Sequence, residues 1–211
     1  MRFLLAVIAA VLVLTCTANA SDLRTVTLSP TEDVSLPFWC DWGYDWDERC
    51  YRDDGVRLAV GGERDKVWRS ALRFSTTAIP VGATVLTAEL SLWYDGTCIA
   101  PRKTSRPCDG RGFAFGVHPI FTPRWFAERE VEPGPQVGLA SLAASAPAQW
   151  VVWDVTDLVA DWASGGLSNY GLLLKLVDGQ EDYGSSGPLF PSSIYADASL
   201  RPKLTVWYFP P

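Results

Sequence analysis

The chain holds a single histidine, His118, beside Pro119 in a strand-like run. A catalytic dyad or a histidine metal triad needs more than that, and no Ser/His/Asp or Cys/His signature accompanies it. The residue reads as structural. Basic side chains are also scarce: 18 Lys and Arg stand against 24 Asp and Glu, a net charge of -6. That balance argues against nucleic acid and against an anionic membrane surface, because either would select a basic patch. It says little about neutral glycans. No Gly-rich phosphate loop opens a helix, and no CxxC spacing occurs. There is no internal repeat and no domain linker. After residue 20, no apolar run approaches the length of a bilayer span.

The first segment has the order of a leader. Met1-Arg2 is positive, Phe3 to Leu14 is apolar, and Ala18-Asn19-Ala20 is a small-x-small cleavage signal. This predicts a secretory signal peptide over residues 1–20 and a single mature domain over 21–211, secreted and without a membrane span. A membrane anchor is the alternative, but the apolar run is short for it. A lipoprotein reading would use Cys16, and Thr15 is unusual before such a site.

The mature chain keeps four of the five cysteines, Cys40, Cys50, Cys98 and Cys108. An even count after a signal peptide implies disulfides in an oxidising compartment. Three pairings exist; equal spacing within two loop-like stretches favours Cys40–Cys50 and Cys98–Cys108. A zinc site is the alternative, although it would lack CxxC spacing and a nearby histidine.

The most patterned stretch is Gln149 to Leu176. Trp150 to Trp153 is β-branched and aromatic and reads as a strand. Asp154 and Thr156 are N-cap types. Val155, Leu158, Val159 and Trp162 then share one helical face, which predicts a short helix over about 155–164. Gly165-Gly166 stop it, Asn169-Tyr170-Gly171 turns, and Leu172 to Leu176 is a second strand. Trp150, Trp153 and Trp162 are expected to be mainly core, with the helix as a lid on one end of the fold.

Elsewhere, strands are predicted at Arg24 to Leu28, Arg57 to Gly61, Val67 to Phe74, Thr84 to Tyr94, Gly112 to Pro119, Leu189 to Tyr195 and Leu204 to Tyr208. In Thr84 to Tyr94, the face with Leu86, Ala88, Leu90, Leu92 and Tyr94 is the more apolar and should meet the core. Turns or loops are expected at Ser29 to Asp33, Pro37 to Gly55, Gly62 to Lys66, Asp95 to Arg111, Glu132 to Pro147 and Asp178 to Gly187. Many short strands with turn signals between them and one helix make the class all-β, a two-sheet jelly-roll-like β-sandwich.

Several stretches resemble, in order, the secreted bacterial DNRLRE domain family. RLAVG at 57–61 is similar to its L-x-V-G strand. RSALRF at 69–74 is similar to R-x-L-L-R-F-D, with Ser75 where Asp is usual. IPVGATVLTAELSLW at 79–93 follows I-P-x-G-A-x-V-x-x-A-x-L-x-L. WVVWDVTDLVADWASGGLSNYGLLLK at 150–175 follows W-x-x-F-D-V-T-x-L-V-x-x-W and then N-Y-G-x-x-L-K. SSIYADASLRPKLTVWY at 192–208 follows S-S-E-Y-A-D-x-x-x-R-P-x-L-x-V-x-Y. The family is related to carbohydrate-binding modules that include alginate binders. The resemblance implies a jelly-roll sandwich and an extracellular, polysaccharide-related role. Both cysteine loops look like insertions into that pattern, and Glu132 stands where it wants Trp. Residues 150–162 also resemble part of the growth-factor latency propeptides, which share the sandwich and bind protein.

The sharpest functional lead is the first cysteine loop. Trp39, Trp42, Tyr44 and Trp46 lie close together among acids, and flat rings suit the C–H faces of sugars. The same rings could instead fold inward under the loop. Acids at Asp45, Asp47, Glu48, Asp53 and Asp54, and at Asp178, Glu181 and Asp182, read as solvated surface. A glycosidase would need two of them across a cleft. No cofactor is called for; a structural calcium on these loops stays open, its ligands unassigned. Arg102, Lys103 and Arg106 could meet an acidic sugar or form a solvated basic loop. Arg69 and Arg73 read as braces of the sandwich, paired with Asp154 or Asp157. The expectation is a secreted, non-catalytic module that recognises a polysaccharide or cell-envelope component. The alternative is a structural or adhesive module that docks on protein. The oligomeric state is not legible.

Overall fold

The computed structural model describes residues 22–40, 55–63, 66–100, 104–108, 110–125, 131–181 and 186–211. Within them the chain is mostly strand. The strands are β1 (Arg24–Leu28), β2 (Pro30–Cys40), β3 (Arg57–Ala59), β4 (Gly61–Glu63), β5 (Lys66–Phe74), β6 (Thr84–Tyr94) and β7 (Thr97–Ala100). They continue as β8 (Thr104–Pro107), β9 (Phe113–Pro119), β10 (Gly138–Leu142), β11 (Gln149–Asp154), β12 (Leu172–Leu176), β13 (Leu189–Pro191) and β14 (Lys203–Phe209). One α-helix, α1 (Thr156–Ser164), links β11 to β12, and a 3-10 turn covers Ala198–Leu200.

Two antiparallel sheets form the body. The smaller runs β1-β14-β6-β11. The larger runs β10-β9-β12-β5-β2, with β4 also pairing β5. Set β2, β4 and the short pairs aside and eight strands remain: β1, β5, β6, β9, β10, β11, β12 and β14. Counted along the chain, they run 1-8-3-6 in one sheet and 5-4-7-2 in the other. That is jelly-roll order, two Greek keys closed into a sandwich.

Alternation builds the core. Leu204, Val206 and Tyr208 of β14 point inward beside Ala88, Leu90 and Leu92 of β6. Facing them from the larger sheet are Leu72, Phe74, Phe115, Val117, Leu172 and Leu174. The indole N–H of Trp153 crosses the sandwich and donates to the Phe115 carbonyl at 3.1 Å. The Trp153, Phe115 and Phe190 rings meet edge-on around it. Each such large side chain stabilises the fold by about 1.5–3 kcal/mol on burial.

Helix α1 turns Leu158, Val159 and Trp162 into the same core and ends at Gly165 in the left-handed conformation. Its N-cap is Val155, which has no capping side chain. Asp154 acts from one residue earlier instead: its Oδ1 accepts from the backbone N–H and the hydroxyl of Thr156. The Thr156 hydroxyl oxygen accepts in turn from the Ala88 N–H at 3.0 Å. The first turn is thereby fixed to the end of the β6–β11 ladder.

Several sequence expectations are corrected. Ser29 to Asp33 is not a turn: β2 begins at Pro30 and continues through the expected start of the first loop to Cys40. Its Pro30 and Pro37 hide it, yet β2 is an edge strand where proline costs no ladder bond, and its register shifts beside each. Glu132 to Pro147 contains β10, another edge strand, whose Gly-Leu-Ala-Ser-Leu composition resembles a loop. Asp95 to Arg111 contains the β7–β8 hairpin. Leu86 is not core but 54 % exposed, because the β14 register shifts between Trp207 and Tyr208 and skips it. Among the described residues no helix is long and apolar enough to cross a membrane.

Candidate functional site

The expected platform falls largely outside the described residues. Trp39 and Cys40 end β2, their backbones paired with Val67 and Lys66. Their side chains, and Trp42, Tyr44, Trp46 and Cys50 with the acids Asp45 to Asp54, lie beyond what is described, as do Arg102, Lys103 and Asp182.

The second cysteine pair is formed: Cys98 and Cys108 are bonded across the β7–β8 hairpin. This segment is not a free insertion. Ile99 packs with Ala59, Trp68 and Leu189 in a small buried cluster, and its N–H donates to the Gly187 carbonyl at 2.7 Å. A side chain at Gly187 would strike the Val60 carbonyl, so the backbones meet there directly. At the foot of the hairpin, Asp95 accepts from Thr97 and from Arg57, which pairs with it at 2.5 Å. Burial works to raise the Asp95 pKa, but the Thr97 and Arg57 bonds outweigh it and hold the carboxyl below its usual range.

The conspicuous sequence motifs turn out to be ties. Arg57 also donates to the Tyr195 hydroxyl at 3.4 Å and lies over its ring. Ser193 gives its N–H and hydroxyl to Asp33 at 2.6 and 2.7 Å. Arg201 donates to the Tyr195 carbonyl. Asn169 reaches the Phe74 carbonyl at 2.8 Å, and Gly171, at φ +106°, approaches Leu72 O so closely that a Cβ would stand 2.5 Å away. Arg69 and Arg73 are braces, as expected, but with other partners. Arg69 makes a two-point pair with Glu181 at 3.0 and 2.6 Å, and Arg73 pairs with Glu32 at 2.5 Å. Asp154 is engaged by Thr156. Glu181 is therefore not solvated surface but a largely buried partner.

Two outer faces remain. On the larger sheet, Val34, Leu36, Ala71 and Leu173 are covered by Ile120 and Trp125, whose indole donates to the Tyr170 carbonyl. Beyond this apolar part stand Lys175, paired with Asp178 at 2.8 Å, and His118, which is 8 % exposed. The His118 Nδ1 bonds the Gly134 carbonyl at 2.9 Å, so it carries the proton and Nε2 is the bare nitrogen. Burial first, then the neighbouring Lys175 and Arg69 cations, push its pKa down. Gln136 shares the space above Gly116 with this imidazole. The charges of Lys175 and Asp178 are paired with each other beside this imidazole.

The outer face of the smaller sheet is different. Trp150 is not core: on β11 it points away from Val151 and Trp153 and stands opposite Trp93 of β6. The two rings meet edge to face with centroids 5.5 Å apart, and both are half-buried. From β14, Lys203 reaches across β6 and sets its ammonium 4.0 Å from the centre of the Trp150 ring. Ser91, which lies on β6 between them, is only 6 % exposed although it faces outward. Further along the face stand Glu89 and Asp154, in register with each other, then Thr205, Thr27 and the partly exposed Trp207. The Asp154 carboxyl is held below its usual range by its bonds from Thr156. From Trp93 to Thr87, beside Trp207, the strand spans about 20 Å. The alternation in β6 placed Trp93 outside. The pairing of Trp93 with Trp150 depends on strand order, which periodicity does not carry.

Among the described residues no group of three or more His, Cys, Asp or Glu is placed to hold a metal ion. No protein-family model matches the chain, and no curated protein matches it.

Proposed function

We propose that this chain is an exported, non-catalytic module that binds a polysaccharide or another component of the cell envelope. The observation that supports this reading best is the Trp93–Trp150 pair on the outer face of the smaller sheet. Partly buried rings held on the outer face of a sheet suit the C–H faces of sugars, and their placement needs no ordering on binding. The Cys98–Cys108 bond agrees with an oxidising compartment. Trp39, Trp42, Tyr44 and Trp46 are a second candidate platform within the same reading.

The test is affinity electrophoresis of the exported protein through gels that contain soluble polysaccharides, backed by a glycan array. At least one polysaccharide should retard the protein, and a Trp93→Ala/Trp150→Ala variant should migrate freely while melting as a folded domain. If no polysaccharide slows the parent protein, the reading is lost. If Trp42→Ala/Trp46→Ala alone abolishes retardation, the platform is the first loop and not the sheet.

Protein docking is favoured by a separate observation. Edge strand β10 carries Leu139 at 58 % exposure and, among the described residues, pairs on one side alone, with β9. A pull-down from envelope extracts that depends on Leu139 and not on Trp150 would select it.

A further inference from the structure

The Trp150 ring already has an occupant. Lys203 has no carboxylate partner among the ion pairs of the described residues; its ammonium rests on the indole instead. A cation on an aromatic face is attracted by the ring's negative quadrupole, and the same face is what a sugar would need. The charges around it decide which sugar. Glu89 and Asp154 lie on the same sheet face, two carboxylates against the one ammonium of Lys203. A polyanion laid along the strands would meet them both. An uncharged chain would meet hydroxyl-bonding groups instead, in Glu89, Thr205 and Thr27, with Trp207 at the far end.

We infer that the Trp150 ring stacks one uncharged sugar of a polysaccharide lying along the smaller sheet, and that the Lys203 ammonium holds this ring until the sugar displaces it. This rests on the polysaccharide reading above and gives it a ligand class and a moving part. Lys203 is a competitor of the ligand, not a contact for it. Its four-carbon stem lets the ammonium swing into solvent, where it is fully hydrated.

Calorimetric titration separates the alternatives. The ligands are a soluble neutral glucan, a neutral xylan and a polyuronate, each at low and high salt. The parent protein should bind a neutral polymer with an affinity that salt barely changes. Lys203→Ala should bind it about two- to five-fold tighter, the range of an exposed cation–ring contact. Lys203→Arg should bind more weakly than the parent, because a guanidinium stacks on the ring more firmly. Trp150→Leu, which keeps apolar bulk on the strand, should lose binding while its melting temperature holds. If the polyuronate binds and Lys203→Ala abolishes that binding, the inference is overturned while the polysaccharide reading stands. Unchanged binding by Trp150→Leu overturns it in the same way. If the parent takes up none of the three and nothing on the array, the functional reading itself has failed.

Discussion

His118 is buried on β9 with one ring nitrogen bonded and the other, Nε2, without a partner in the described structure. The bonded Nδ1 already holds the proton. Protonation would add a cation beside Lys175 and Arg69, so the folded chain takes up this proton at a lower pH than the unfolded one. Below the ordinary imidazole value of about 6.5, the unfolded state therefore binds more protons, and stability falls as pH falls toward the depressed native pKa. Urea unfolding midpoints should drop between about pH 7.5 and about pH 5.5. In His118→Asn, whose amide can still donate to Gly134, the drop over that window should be flatter. Parallel slopes for the two proteins would remove the imidazole from the account. The strand position of the lone histidine was legible from the sequence. Its tautomer was not, because the Gly134 carbonyl comes from a segment no pattern places there. The arginines teach the same lesson. Arg69 and Arg73 read as braces from their place in a strand, but Glu181 and Glu32 reach them only through loop and edge geometry.

Among the elements, α1 and the strands with regular alternation were legible, and the irregular edges were not. Thr84 to Tyr94 reads as a strand end to end because it is long and alternates between two faces. β2 and β10 were missed because an edge strand tolerates proline, glycine and small residues that a central strand would reject. The helix start was half legible. Asp154 and Thr156 are the right residue types, but their work is a relay from Ala88 N–H through the Thr156 hydroxyl to the Asp154 carboxylate. Removing the hydroxyl orphans the Ala88 donor in a part-buried position. Thr156→Val should cost about 1–2 kcal/mol in denaturant unfolding, and Thr156→Ser should restore most of it. If Val and Ser cost the same, the relay contributes nothing and β-branching is what matters there. The candidate site follows the same division. Trp93 was placed outward by alternation, whereas Trp150 was mistaken for core because QWVVWD is apolar on both faces of its strand.

At the scale of the whole molecule, strand count and helix number identified the class, and the strand order of the two sheets confirms the sandwich. Order itself comes from long-range pairing, which no local window contains. Its extreme is β1, whose one partner among the described residues is β14: Arg24 stands opposite Tyr208, a separation of 184 residues (208 − 24). β14 also lies between β1 and β6, so the smaller sheet cannot assemble until both distant segments have met. Closing so long a loop is slow, and sheet proteins with distant pairings fold in milliseconds to seconds. Refolding followed by tryptophan fluorescence should be correspondingly slow. Val26→Ala, which thins the β1 seam, should speed unfolding far more than it slows folding. A larger effect on the folding limb would mean that β1 docks early. During synthesis, Trp93 and Trp150 emerge long before the strand that carries Thr205 and Trp207. The candidate binding face is thus complete only once Lys203–Phe209 has been made, and time, as much as geometry, separates an unfinished chain from one able to bind.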